Sequence, residues 1–299
     1  MNDSVHLLFP LFSSIVFVFG ATFAKQTAVR GTNPYTNTAL SNLCLALFWT
    51  ILGFARGTAL PWDALGPAIL IAFAFVMGQL CTYLAFQFGD VSLATPIFGV
   101  KIIIVAMLSS LLADQGVNFQ VWIAAVLAAL GIAVIQAGSG ASRSTPLTTR
   151  RAVLTILLAL LAATALSLFD IGLQACGRKY GAERFLTMMF FCMGVWSCGL
   201  LPWANGPAQL QRMGVIRPLL CGTVLMAAQA VSMSYALGHF GDATRVNIVY
   251  ALRGLWSVGL AWLLSQLAVN PEGGHSPRTM VFRLVGAILI TVSIFVALT

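Results

Sequence analysis

Charge is what this chain has least of: 8% of its 299 residues are Asp, Glu, Lys or Arg, against 59% hydrophobic. With a mean hydropathy of +0.93, such a composition excludes a soluble globular chain and marks an integral membrane protein. Period-two alternation is also missing from the apolar runs, which excludes a spanning β-barrel. The six Cys (44, 81, 176, 192, 198 and 221) form no C-x-x-C pair and lie in or beside apolar runs, so they read as packing residues rather than disulfides or metal ligands. There is no nucleotide-binding loop, no G-x-S-x-G and no H-E-x-x-H. Hydrolysis of nucleotides by this chain is thereby excluded, and an enzyme is not expected. His6, His239 and His275 fall at span ends or in connections, and no span carries an acidic pair. Neither a metal nor a cofactor is expected. Long polar stretches are absent too: the longest connections, 137–151 and 269–279, are too short for a second domain. The net charge of +8 is scattered through the connections and forms no stripe, which points to headgroup contact and orientation, not nucleic acid.

What is present is a series of ten apolar runs, each close to the ~20 residues needed to cross a ~30 Å hydrocarbon core. They cover 7–26, 35–54, 66–87, 91–112, 118–137, 152–175, 185–203, 215–238, 243–266 and 280–298. The fold class is all-α, with ten transmembrane helices. The first run lacks the basic start and cleavage site of a secretory signal and reads as a retained helix. "QFGDVS" and "HFGDAT" separate the third run from the fourth and the eighth from the ninth, each Gly-Asp supplying a tight turn and an N-cap. Odd-numbered connections carry eight Lys and Arg against five in the even ones. That bias favours cytoplasmic odd connections and both termini outside.

The two halves resemble each other. "TYLAFQFGDVSLATPIFGVKIII" (82–104) lies over "SYALGHFGDATRVNIVYALRGLW" (234–256) at a constant offset of 152 residues. Tyr83 falls on Tyr235, Asp90 on Asp242 and Lys101 on Arg253, while near the first helix of each half Gly31 falls on Gly181. The expected units are 1–140 and 152–299, joined by a linker at 141–151, within one membrane domain. Because five helices per half is an odd number, the second half enters the membrane inverted. Inverted-topology repeats mark secondary transporters, whose substrate site lies near the midplane between the halves.

"FVFGATFAKQ" (17–26) resembles the first-helix pattern of the drug/metabolite transporter superfamily, through Phe19-Gly20, Phe23 and Lys25. Ten helices in five-plus-five repeats and a fourth helix opening "GDVSLATPIF" resemble its bacterial EamA-type permeases. The resemblance implies a transporter in the bacterial inner (plasma) membrane, working as a monomer on a small-molecule substrate, with no cofactor. The usual Trp before the glycine is Phe here. The first helix also lacks the acidic residue by which small multidrug-resistance relatives exchange protons for cationic drugs, which disfavours that chemistry.

Lys101 and Arg253 each lie about ten residues, ~15 Å, into a span, near the bilayer centre. A central Lys or Arg costs roughly 2.5–3.5 kcal/mol on insertion scales, so ionisable residues at this depth are functional candidates. Asp170 is the one carboxylate clearly inside a span, whereas Asp90, Asp114, Glu183 and Asp242 sit at turns. If Asp170 neutralises one cation, a positive charge remains that an anion would satisfy. The resemblance points the same way, since relatives carrying phosphorylated sugars use basic side chains on the fourth and ninth helices. Asn247, Tyr250, Arg253 and Ser257 form a polar stripe along the ninth span. Gln79, Tyr83, Gln174, Gln229 and Tyr235 also lie within spans, either lining a cavity or bonding helix to helix. Pro96, Gly20 and Gly254 are the candidate hinge positions. The expected solute is a carboxylated or phosphorylated anion, and a coupling proton is compatible with these groups. A second reading is an amino-acid exporter in which Asp170 takes the amine. A third, from another class, is a membrane receptor or structural protein.

Overall fold

The computed structural model describes residues 5–88, 91–112, 118–138, 149–257, 259–260 and 277–298. Among these the secondary structure is helical, without strands. A 3-10 turn at Val5–Leu7 leads into α1 (Leu8–Val29), followed by α2 (Pro34–Ala55), α3 (Leu65–Phe88), α4 (Val91–Leu112) and α5 (Phe119–Gly138). The second half holds α6 (Thr149–Tyr180), α7 (Ala182–Cys198), the short α8 (Pro207–Arg212), α9 (Ile216–Phe240), α10 (Ala243–Tyr250) and, last, α11 (Pro277–Leu298). Helices over 5–29, 34–55, 62–85, 149–180 and 216–240 are long and apolar enough to cross a membrane, and shorter apolar stretches occupy 98–111, 119–135 and 284–298. The protein is an all-α membrane protein.

Local chemistry explains the boundaries. Asn33 starts α2 by accepting from the Thr36 N–H at 2.9 Å, and Pro34 occupies the first helical position, where a missing N–H costs nothing. At "HFGDAT", Gly241 ends α9 at φ +67°, a left-handed conformation suited to glycine, and the Asp242 carboxylate caps α10 by accepting from the Arg245 N–H. The matching Gly89 and Asp90 lie outside the described residues, as does Asp114. Gly31 and Gly181, aligned in sequence, both have positive φ (+99° and +87°) and close the first helix of each half.

Three runs differ from their expected extents. The sixth continues to Tyr180, so α6 has 32 residues and is ~48 Å long, carrying Arg178 and Lys179 beyond the apolar core. The seventh stops at Cys198, and Leu201–Trp203 winds as a 3-10 turn because Pro202 lacks the N–H a continuing α-helix would need. The ninth is interrupted at Ala251 and Leu252 and resumes over 253–257. Residues 261–276 lie outside the description. Glu183, read as a turn residue, sits in the first turn of α7 and pairs with Arg56 across the connection between α2 and α3.

Corresponding helices of the two halves pack against each other antiparallel. A Cβ on Gly131 of α5 would lie 2.7 Å from Ile290 Cγ1 and 2.9 Å from the Gly286 carbonyl; one on Gly286 of α11 would meet the equivalent atoms of Ile135 and Gly131. This reciprocity is the signature of a two-fold axis. α2 and α7 also run antiparallel, with Ala46 against Gly194 and Gly53 against Thr187. Exchange of the halves turns the α1–α9 interface into the α6–α3 interface: Gly20 meets Met226, and Gly172, 152 positions after Gly20, meets Ile71, 155 before Met226. Trp49 stacked on Phe190 (5.8 Å, 6° between planes) and Phe75 against Phe169 (4.6 Å) fill the core between halves. Leu157, Leu161, Val224 and Phe295 point outward, where lipid rather than water is their natural solvent.

Candidate functional site

Halfway along α4, Lys101 Nζ lies 2.8 Å from Asp170 Oδ2 on α6. The pair is nearly closed to solvent, with the Asp170 side chain 3% and the Lys101 side chain 13% exposed. Asn247 Nδ2 donates to the same carboxylate oxygen at 2.7 Å and to its own helix's Ala243 carbonyl at 2.9 Å. Three helices, α4, α6 and α10, thus meet on one carboxylate. The Ser167 hydroxyl, one turn before Asp170, lies 2.7 Å from the Ala163 carbonyl and 3.3 Å from that of Lys101. Pairing answers the desolvation of both charges, whereas removal of one partner leaves an uncompensated buried charge costing roughly 3–5 kcal/mol.

Arg253 is placed differently. Its guanidinium carbon sits 4.6 Å from the centre of the Tyr250 ring and 4.9 Å from that of Phe17 on α1. Among the described residues no carboxylate pairs with it. Cation–π contacts of this kind reach ~2 kcal/mol when desolvated and do not neutralise the charge, so the guanidinium can still pair with an anion. Tyr250 is fixed from behind, its hydroxyl donating to Gln229 Oε1 at 3.0 Å. Lys101, Asn247, Tyr250 and Arg253, with Phe98, line one crevice.

The backbone breaks at this crevice. Leu252 N–H donates to Val249 O and Gly254 N–H to Ala251 O, both three residues back, before Trp256 N–H returns to the four-residue pattern at Leu252 O. Half-helix ends at such breaks offer unsatisfied backbone groups to a solute in many transporters. The interruption also re-phases the expected stripe: Ser257 is exposed and bonds its own Gly254 carbonyl, so it leaves the group.

Other expected residues are distributed less centrally. Gln174 accepts from the Ala243 N–H at 2.9 Å and so helps start α10. Gln79 has a buried Oε1 without a partner. Tyr83 lines a separate crevice with Asn37, Ser41 and Thr223. Tyr235 stacks on His239 and meets Phe9 at a tilt, about 9 Å along α9 from Gln229. Gly20 is a close-packing position against Met226, while a Cβ on Gly254 would find only Ile135, at 4.0 Å. Pro96 lies within helical backbone of α4, and its side chain is outside the description. Phe17 and Ser167 were not anticipated. Trp256 donates its indole N–H to Ser14 Oγ at 3.1 Å.

Residues 5–137 match the model of the EamA-like transporter family. That match supports membership of the drug/metabolite transporter superfamily. The match covers the first five helices, the half that supplies Lys101 and Phe17. No curated protein matches the chain. A solved structure described only as "Crystal structure of protein" is similar in fold, with a TM-score of 0.68 at 15% identity over 97% of this chain and 98% of the other. The match and the fold support a membrane transporter, and EamA-like proteins are transporters, not enzymes.

Proposed function

We propose that this transporter carries a small organic anion, carboxylated or phosphorylated, by alternating access between repeats 1–140 and 152–299, with the anionic group on Arg253. The observation that carries the reading is charge bookkeeping at the midplane. Asp170 is consumed by Lys101, and Arg253 lies over two aromatic rings with no carboxylate partner among the described residues. A guanidinium in that setting suits bidentate contact with carboxylate or phosphate oxygens. The two-fold exchange of interfaces supports rocking of one repeat against the other around this point. Lys101 and Asn247 complete the crevice, and Gly254 sits beside the break where the ninth span would bend.

The amino-acid reading is weaker, because Asp170 is 2% exposed and already bound by an ammonium and an amide. An incoming amine would have to displace Lys101. One copy of the chain contains the whole site, in keeping with a monomeric carrier, and the membrane implied by the resemblance is the bacterial inner membrane.

The test is thermal unfolding of the purified protein at fixed pH and salt against phosphates, carboxylates, zwitterions, amines and neutral sugars. A ligand present at 100 times its Kd adds roughly 2.7 kcal/mol. Stabilisation by anions that disappears in Arg253→Met is the expected result. Stabilisation by amines or zwitterions that depends on Asp170 instead would replace this reading with the amino-acid one.

A further inference from the structure

The second crevice has no role in the site above. It lies at the end of the bundle where α2 and α9 begin, between α1, α2, α3 and α9. Its polar lining is unlike that of the midplane. Asn37, Ser41 and Thr223 are 5%, 6% and 7% exposed, line the crevice together, and make no side-chain hydrogen bond with the described residues. Tyr83 lines it as well, while Thr27 is occupied with the Ala24 carbonyl at 2.9 Å. Serine and threonine in these helices commonly bond their own backbone one turn back, as Ser13, Thr22, Thr38 and Thr82 do. Ser41 and Thr223 do not.

Three polar side chains that line the crevice without a hydrogen-bond partner among the described residues are available to bond something else. None of the lining residues carries a charge. Hydroxyl and amide groups both donate and accept, so they match a neutral body bearing hydroxyl or amide groups and would leave a second ionic group desolvated. The two crevices are linked along α9, where Thr223, Met226 and Gln229 lie in succession from this crevice to the partner of the Tyr250 hydroxyl. Six residues of helix separate Thr223 from Gln229, a distance of ~9 Å.

We infer that Asn37, Ser41, Thr223 and Tyr83 form a neutral subsite that selects, among anions, those carrying a hydroxyl- or amide-bearing body. The inference rests on the anion reading above, and names the part of the solute that Arg253 does not hold. It makes these four residues determinants of specificity, while the charge contact supplies attraction common to all anions.

Gluconate and hexanoate test it, since each has six carbons and one carboxylate and only the first has hydroxyls. Affinities are measured by calorimetry on the purified full chain, with inorganic phosphate as a probe of the charge site alone. Gluconate is expected to bind about tenfold tighter than hexanoate, the worth of one well-made hydrogen bond. Thr223→Val, which keeps shape, and Asn37→Ala should each erase most of that preference and leave hexanoate and phosphate unchanged. Ser41→Ala provides a third variant should either fail to fold. Equal affinity for the two acids, or a preference that survives all three variants, overturns the inference. If the preference follows these residues but Arg253→Met weakens no anion, the neutral subsite stands and the anion reading falls. If Arg253→Met weakens both acids and the crevice variants change neither, the anion reading stands and the subsite falls.

Discussion

Lys101 and Arg253 align in sequence and sit at similar depth, yet their surroundings give them different work. One is neutralised by Asp170 at 2.8 Å, the other lies over Tyr250 and Phe17. From this follows an asymmetric expectation for single and paired substitutions. Asp170→Asn should destabilise by roughly 3–5 kcal/mol, because it strands a buried ammonium. The double variant Lys101→Met/Asp170→Leu should recover most of that loss, and thermal unfolding of the three proteins checks it. A double variant no more stable than the single one would mean that the pair is not the structural unit described. Arg253→Met, in contrast, should alter stability by less than Asp170→Asn. The three charges were legible in the sequence because a charged residue in an apolar run has few innocent explanations. Their pairing was not, since α4 touches α6 only through the tertiary fold. Phe17 could not have been singled out among 20 Phe, as nothing local marks the ring that lies under Arg253.

Helices and turns carry the next level of the account. Their existence was readable from apolar length, and the turn at Gly241-Asp242 from its residues, because left-handed φ and N-capping have strong residue preferences. The break at Ala251–Leu252 was hidden, because both residues are good helix formers. Asp242→Ala removes the cap of α10 and its contact with His6 (3.5 Å), and should cost about 1 kcal/mol in thermal unfolding. The α5–α11 crossing makes a sharper demand. Gly131→Ala and Gly286→Ala each place a methyl against an isoleucine and a glycine carbonyl of the opposite helix. Overpacking of this sort costs typically 1–3 kcal/mol, and the two-fold environment predicts nearly equal losses at the two positions. Clearly unequal losses would argue against that symmetry. Gly254→Ala places its methyl 4.0 Å from Ile135, an ordinary contact, and should leave stability nearly unchanged.

At the scale of the molecule, an odd number of helices per half makes the second repeat enter inverted, and the antiparallel contacts of α2 with α7 and of α5 with α11 follow from it. The doubling was visible in the aligned Gly-Asp turns and cations, although the neighbours each helix would choose were not. Two repeats around a charged midplane give the account its central claim: the protein moves an anion by letting Arg253 face each side in turn. The direct measurement is counterflow in proteoliposomes, in which vesicles loaded with an unlabelled anion take up the labelled one. Uptake by the wild-type protein, reduced at least tenfold in Arg253→Met and largely kept in the folded Lys101→Met/Asp170→Leu double variant, is the result predicted. Uptake that Arg253→Met leaves intact while the double variant abolishes it would contradict the account and move the binding charge to the Lys101–Asp170 pair.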